Sequence, residues 1–280
     1  MTTIETIKKR KSCRTFNKDV VNYAIVKVLE DYITKNRKLI NGEIIDLCIV
    51  QKSLDDKKIK LDYGVIKGQT TYLLGAPESS QYSRINYGYI MEKVVLKAIK
   101  LGLSSCWIGS FDKNYFSDIQ VEEGHEIPGI VILGFPDYKP TRWEKIIRYS
   151  IKASKRNRWE NLFFNYNLNT PLIPENVSKY CDPLEMVRLA PSSGNTQPWR
   201  IYYDEKTSEF HFFKKIINKK YEVSGMHDLD MGIALSHFEL TSIQKGLSGN
   251  WVIKEKDKIK QPEGLEYIIT WKCNDVKSVK

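Results

Sequence analysis

Arg10, Ser12 and Arg14 alternate in the short run Arg10-Lys11-Ser12-Cys13-Arg14. In an extended segment, alternate side chains share one side. Two guanidinium forks around a hydroxyl match a phosphate, which accepts charge-assisted, bidentate hydrogen bonds. A basic stretch of this kind is equally at home as a solvated helix end. A second candidate, Pro191-Ser192-Ser193-Gly194-Asn195, lies far along the chain within RLAPSSGNTQPWR. Its two flanking prolines bar it from a helix interior or a central strand. Pro, Ser, Gly and Asn are ordinary turn residues, so a plain turn stands beside another reading. In that reading the hydroxyls, amide and backbone groups line a ligand.

Other chemistries lose their usual supports. The chain holds no Gly-x-Gly-x-x-Gly, no phosphate-binding Walker loop, no His-Glu-x-x-His and no Gly-x-Ser-x-Gly. The cysteines (Cys13, Cys48, Cys106, Cys181, Cys273) are scattered without a Cys-x-x-Cys pair, and the histidines do not fall at metal-ligand spacing. No metal site is expected, and no catalytic acid, base or nucleophile stands out.

The elements that position these residues follow from a repeat. YGYIMEKVVLKAIKLGLSSCW (87–107) aligns without gaps on MGIALSHFELTSIQKGLSGNW (231–251), identical at seven of 21 positions, Gly88/Gly232 and Trp107/Trp251 among them. Both copies have a helical pattern. In the first, Ile90, Met91, Val94, Val95, Ala98 and Leu101 form one stripe while Glu92, Lys93, Lys97 and Lys100 face away. Gly-Leu-Ser then stops each helix, and a tryptophan-bearing strand begins. Each half of the chain also ends in a strand-like run, GIVILGF (129–135) and YIITWKC (267–273). The spacing predicts two related halves, 1–150 and 151–280, packed through long helices at 82–101 and 228–245. Symmetric interfaces pair the same patch on both partners, and ligand sites often lie between them.

Composition sets the frame. With 280 residues, 41% hydrophobic and 28% charged, the chain is globular. The N-terminus lacks a signal-peptide core and no apolar run is long enough to cross a membrane, so a soluble cytoplasmic protein is expected. The net charge of +10 suits a phosphate-bearing ligand. Without an accompanying nucleic-acid motif it reads as a lysine-rich surface, and nucleic acid remains the outside alternative.

RKSCRTF and APSSGNTQPW together resemble the paired signatures of the FMN-dependent nitroreductase family. The block GLSSCWIG and the run Gly134-Phe135-Pro136 resemble two further family blocks. The first half lacks a Pro-Ser loop and the second has an altered basic motif, Arg156-x-Arg158, which resembles a single-chain, duplicated branch. The resemblance implies an α+β fold of two pseudo-symmetric halves, each a mixed, mostly antiparallel sheet flanked by helices. It also implies one composite FMN site. Arg10 and Ser12 would hold the phosphate and Arg14 the N1/O2 edge of the flavin, with Lys67 a second base at the pyrimidine. Ile108, Gly109 and Ser110 would lie near N5. Arg156 and Arg158 would clamp the phosphate. Pro191, Ser192, Ser193 and Asn195 would complete the pocket from the second half. The implied activity is NAD(P)H-dependent reduction of a small-molecule acceptor such as a nitroaromatic or quinone by a monomer, the flavin carrying the chemistry. A flavin-binding protein with a storage, sensing or partner role has the same motifs.

Overall fold

The protein is described by a computed structural model, which covers residues 1–37, 42–52, 66–137, 146, 149–150, 152–167 and 169–274. The expected boundary at 150/151 falls beside residues outside this set. Helix α1 (Thr3–Lys9) opens with a capping box between Thr2 and Glu5 and carries Lys8 and Lys9 in its last turn, which suits the helix dipole. After α2 (Tyr23–Asn36), four strands form an antiparallel sheet in the order β1-β2-β4-β3: β1 (Leu47–Gln51), β2 (Thr71–Gly75), β3 (Ser104–Ile108) and β4 (Ile130–Gly134). Helix α3 (Gln81–Lys100) connects β2 to β3.

The second half repeats this order. After α4 (Cys181–Arg188) come β6 (Trp199–Asp204), β7 (Glu209–Lys215), the short α5 (Lys219–Val223), α6 (Met226–Gln244), β8 (Gly249–Val252) and β9 (Leu265–Cys273). Their sheet runs β6-β7-β9-β8, again antiparallel, with β5 (Phe163–Asn165) added in parallel against β6. The two stop signals also correspond. Gly102 and Gly246 take positive φ (92° and 70°), and Leu103 and Leu247 donate back to the carbonyls of Ala98 and Ser242. Each closes a helix end as a left-handed glycine allows.

Helices α3 and α6 lie against each other at the centre, and most of their residues are buried. This corrects one expectation: Glu92, placed on the outward face by the stripe, is fully buried. Its carboxylate accepts from Trp107 Nε1 (2.7 Å) and faces His237 Nε2 (3.0 Å), while His237 Nδ1 reaches the Met186 carbonyl (2.9 Å). A central helix has no solvent face, so its polar side chains must find partners inside. Among the described residues, no helix is long and apolar enough to cross a membrane, and no group of three or more His, Cys, Asp or Glu side chains could hold a metal ion.

Candidate functional site

A cavity of about 340 Å³ opens between the halves. One wall is the N-terminal segment. Beyond the end of α1 the chain runs extended beside β3: Ser12 bridges Ser105 in parallel, Cys13 N–H donates to the Ser105 carbonyl (2.9 Å), and Thr15 bridges Lys67. Extension produces the alternation. Ser12 and Arg14 border the cavity, while Cys13 turns into an apolar cluster with Phe16 and Ile132. Arg10 sits at the C-terminal end of α1 and is not on the wall. Lys67 is exposed and joins through its backbone only, donating to the Arg14 carbonyl (3.0 Å) and accepting from Phe16 N–H (2.8 Å). Ile66 beside it reaches the cavity instead.

The floor is the end of β3. Ile108, Gly109 and Ser110 border the cavity together with Trp107. A methyl group at Gly109 would stand 2.3 Å from Met226 Sδ, so any larger residue there would have to displace the Met226 side chain from α6.

The opposite wall is the loop after α4. Pro191, Ser192, Ser193 and Gly194 border the cavity. The loop is a 3-10 turn (Ser193–Asn195) with positive φ at Gly194 (57°), Asn195 (59°) and Gln197 (52°). Such backbone costs energy outside glycine and persists only where surroundings hold it. The bonds that hold it are specific. Ser192 Oγ accepts from Gln197 N–H (2.9 Å), and Asp230 Oδ1 accepts from Ser193 N–H (2.9 Å) and its hydroxyl (3.2 Å).

Asn195 turns away from the cavity. Its Nδ2 donates to the carbonyls of Lys152 and Lys155 (2.9 Å each), and its Oδ1 accepts from Arg156 Nη1 (3.1 Å). Gln197 Oε1 also accepts from Asn157 N–H (2.8 Å). The loop therefore fastens the segment that carries Arg156. That guanidinium otherwise donates to the carbonyls of Ala153 (3.0 Å), Lys155 (3.1 Å) and Leu189 (3.2 Å), all neutral acceptors. Burial, together with the charges of Arg10 and Arg188, pushes its pKa down to about 10. Arg188 is itself met by Glu185 (2.6 and 2.7 Å). Arg158 stands apart, 82% exposed and 3.5 Å from Glu160.

The cavity also has residues that the motifs did not show: Lys220, Tyr221 and Ser224 from α5 and its end, and Met226, Leu229 and Asp230 from α6. Only Asp230 had a sequence signal, a carboxylate inside an apolar helix at the position that Asn86 holds in the first copy. Close by, Lys214 is buried with Asp228 (2.7 Å), Glu222 (2.8 Å) and Glu266 (3.0 Å) around it. Burial opposes its charge, but hydrogen bonds to Asp228 and Glu222 outweigh it and hold the ammonium protonated.

Comparison with known proteins agrees with this architecture. A family model described as "Putative TM nitroreductase" matches residues 2–242. Among solved structures, the chain is similar to a putative nitroreductase from Thermotoga maritima MSB8, with 22% identity over 98% of this chain and 94% of that chain and a TM-score of 0.61. It also aligns with a nitroreductase with bound FMN from Bacteroides fragilis NCTC 9343 (19% identity, 50% of this chain, 90% of that chain, TM-score 0.41). A nitroreductase family protein from Clostridium difficile 630 aligns at 20% identity over 58% of this chain and 97% of that chain, with a TM-score of 0.43. No curated protein matches the chain.

Proposed function

The chain belongs to the nitroreductase family, and from that premise we propose that it is a flavin oxidoreductase with one composite FMN site per chain. The supporting observation is a pair of buried donors without acceptors: Arg14 Nη1 and Arg156 Nε make no hydrogen bond. Buried donors are normally satisfied, and each exception calls for a ligand or another explanation. Both belong to guanidinium groups, the natural partners of phosphate and of a ring edge that gains negative charge.

FMN, when bound, would supply hydride transfer from NADH or NADPH to a nitroaromatic, quinone or similar acceptor. The chain's own residues do the rest. Ser12 and Arg14 present a hydroxyl and a cation on the first-half wall. A cation beside a ring edge that becomes anionic on reduction stabilises the reduced state preferentially, which favours electron uptake. Arg156 and Arg10, close to each other but both off the cavity wall, would add positive field to the phosphate end. Backbone at Ile108, Gly109 and Ser110 forms the floor without adding a titratable group. Pro191, Ser192 and Ser193 close the site from the second half and exclude water.

The two halves, 1–150 and 151–280, then act as one pseudo-dimer in a monomeric chain. Reconstitution with FMN tests the reading. Purified protein should retain about one flavin per chain on desalting and oxidise NADH or NADPH when an acceptor is added. Protein that retains no flavin refutes it; flavin retained without nicotinamide oxidation points to a binding protein instead.

A further inference from the structure

A chain of hydrogen bonds joins the floor of the cavity to the helix that delivers its loop wall. Trp107 borders the cavity, and its Nε1–H donates to Glu92 Oε2 at 2.7 Å. Glu92 Oε1 faces His237 Nε2 at 3.0 Å, and His237 Nδ1 lies 2.9 Å from the Met186 carbonyl. Glu92 and His237 are both 0% exposed. A carbonyl only accepts, so Nδ1 carries a hydrogen; a second hydrogen must lie between Nε2 and Oε1, where two lone pairs would otherwise meet. The Met186 carbonyl belongs to the last turn of α4, where helical acceptors lose their partners. Ala190, whose N–H would have closed its helical bond, donates to Val187 instead (2.9 Å). His237 therefore caps α4 just before the wall of Pro191, Ser192 and Ser193. The chain runs from β3 and α3 in the first half to α6 and α4 in the second.

The repeat shows that the fold alone does not call for this carboxylate. At the offset of 144, Trp251 corresponds to Trp107, Ser236 to Glu92 and Lys93 to His237. Ser236 donates to the Ile233 carbonyl of its own helix (3.0 Å). Lys93 turns to Glu239 and Tyr89. Buried Trp251 Nε1 has no acceptor at hydrogen-bonding distance, although the Tyr89 hydroxyl is near enough to feel it. Trp251 packs among Phe212, Phe238 and Trp271 and does not border the cavity. An indole at this place thus packs without a carboxylate beneath it. The chain bears the desolvation cost of a buried carboxylate under the indole that borders the cavity.

We propose that Glu92 and His237 are positioning residues for the flavin site, fixing the Trp107 indole, and through it the backbone of Ile108, Gly109 and Ser110, against the loop wall that follows α4. The proposal rests on the flavin oxidoreductase reading. Neither side chain borders the cavity; they act through Trp107 and Met186. Hydride transfer depends steeply on how donor and acceptor are held, so a small shift of the floor against the wall costs rate out of proportion to stability.

Glu92→Gln is the conservative variant. Its carbonyl oxygen still accepts from Trp107, and its amide N–H supplies the hydrogen that His237 Nε2 shares. Glu92→Leu offers neither, and Trp107→Phe removes the indole donor alone. In flavin-free protein labelled with 15N-tryptophan, the Trp107 indole signal is the one missing from W107F. Its N–H should exchange slowly with solvent in wild type and E92Q, and about tenfold faster or more in E92L. In FMN-saturated, folded protein, where lost stability does not enter the rate, flavin reduction by NADH or NADPH should slow about tenfold in E92L and in W107F. The visible circular dichroism of the flavin should change alike in both. The double variant should be no slower than either single one, and E92Q should stay within about twofold of wild type. A wild-type reduction rate in W107F, or an E92Q as slow as W107F, overturns the proposal, and these two variants decide it should E92L not fold. An indole signal that is the same in wild type and E92L overturns it as well. A protein that binds no FMN refutes the flavin reading, whereas the indole exchange reports on the Glu92 contact without flavin.

Discussion

Gly88 and Gly232, 144 residues apart in the chain, meet at the crossing of α3 and α6, each with the other helix's backbone where a side chain would stand. A Cβ on Gly88 would lie 2.3 Å from the Leu229 carbonyl oxygen, and one on Gly232 2.0 Å from that of Ile85. Leu229 and Ile85 are themselves 144 apart. The contact is reciprocal, as in an isologous dimer interface, but within one polypeptide.

This crossing sets the separation of the halves and hence the width of the cavity, since Leu229 and Asp230 line it from α6. Gly88→Ala and Gly232→Ala should each destabilise the protein by roughly 2–3 kcal/mol, because the added methyl meets backbone that cannot rotate away. Urea unfolding followed by circular dichroism measures this. A stabilisation of about 1 kcal/mol, the helix-propensity gain from replacing glycine, would instead show that the helices part without cost.

Asn195 and Arg156 should behave as one unit. The sequence resemblance assigned Asn195 to the pocket itself, but in the structure it holds the backbone at Lys152 and Lys155 and meets Arg156 at 3.1 Å. Asn195→Ala should weaken FMN binding about tenfold, the cost of roughly one lost hydrogen bond to a charged group. Arg156→Ala should weaken it more. The double variant should bind no more weakly than Arg156→Ala alone, a coupling that a double-mutant cycle resolves. Additive losses, read by quenching of flavin fluorescence, would mean that Asn195 touches the flavin in its own right.

Much of this was legible in the sequence because it is local or repeated. The 21-residue repeat located α3 and α6, and alternation in Arg10-Lys11-Ser12-Cys13-Arg14 separated the wall residues Ser12 and Arg14 from the buried Cys13, but it failed for Arg10, which caps α1 and lies off the wall. Three features were not legible. Glu92 looked outward because a stripe cannot reveal a second partner helix, and its partner His237 lies 145 residues on. Arg158 looked equivalent to Arg156, yet only Arg156 is caught by the returning loop, while Arg158 pairs with Glu160 in solvent. Asp230 stood out as a carboxylate in an apolar helix, but its place at the site follows only when Ser193 folds onto α6 and donates to it.

His211 makes stability pH-dependent. It is buried in β7 with Nδ1 2.8 Å from Thr270 Oγ1. Burial first, and then Lys254, push its pKa from 6.5 down to about 4. Between those values the unfolded chain binds more protons than the folded one, so stability falls as pH falls. The contribution is complete above pH 6.5 and is lost progressively down to about pH 4. The loss should reach about 2 kcal/mol by about pH 5. Urea midpoints at about pH 7 and pH 5 measure it, and His211→Gln should flatten the difference. An undiminished difference in that variant would place the titration elsewhere.

Gly194 and Tyr221 should control how the cavity closes. Both border it, and a Cβ on Gly194 would lie 2.7 Å from Tyr221 Cε2. Gly194 also has φ of 57°, a conformation that costs alanine about 1 kcal/mol. Gly194→Ala therefore carries two penalties, a local strain and a displaced tyrosine ring. Only the second is relieved by shortening the partner. Gly194→Ala should raise the KM for a bulky acceptor several-fold, in the range of a 1 kcal/mol loss, while overall stability falls only by the strain. Adding Tyr221→Ala should restore KM but not the urea midpoint. If the double variant recovers neither, the ring contact does not shape the cavity; if it recovers both, the backbone at Gly194 bears no strain.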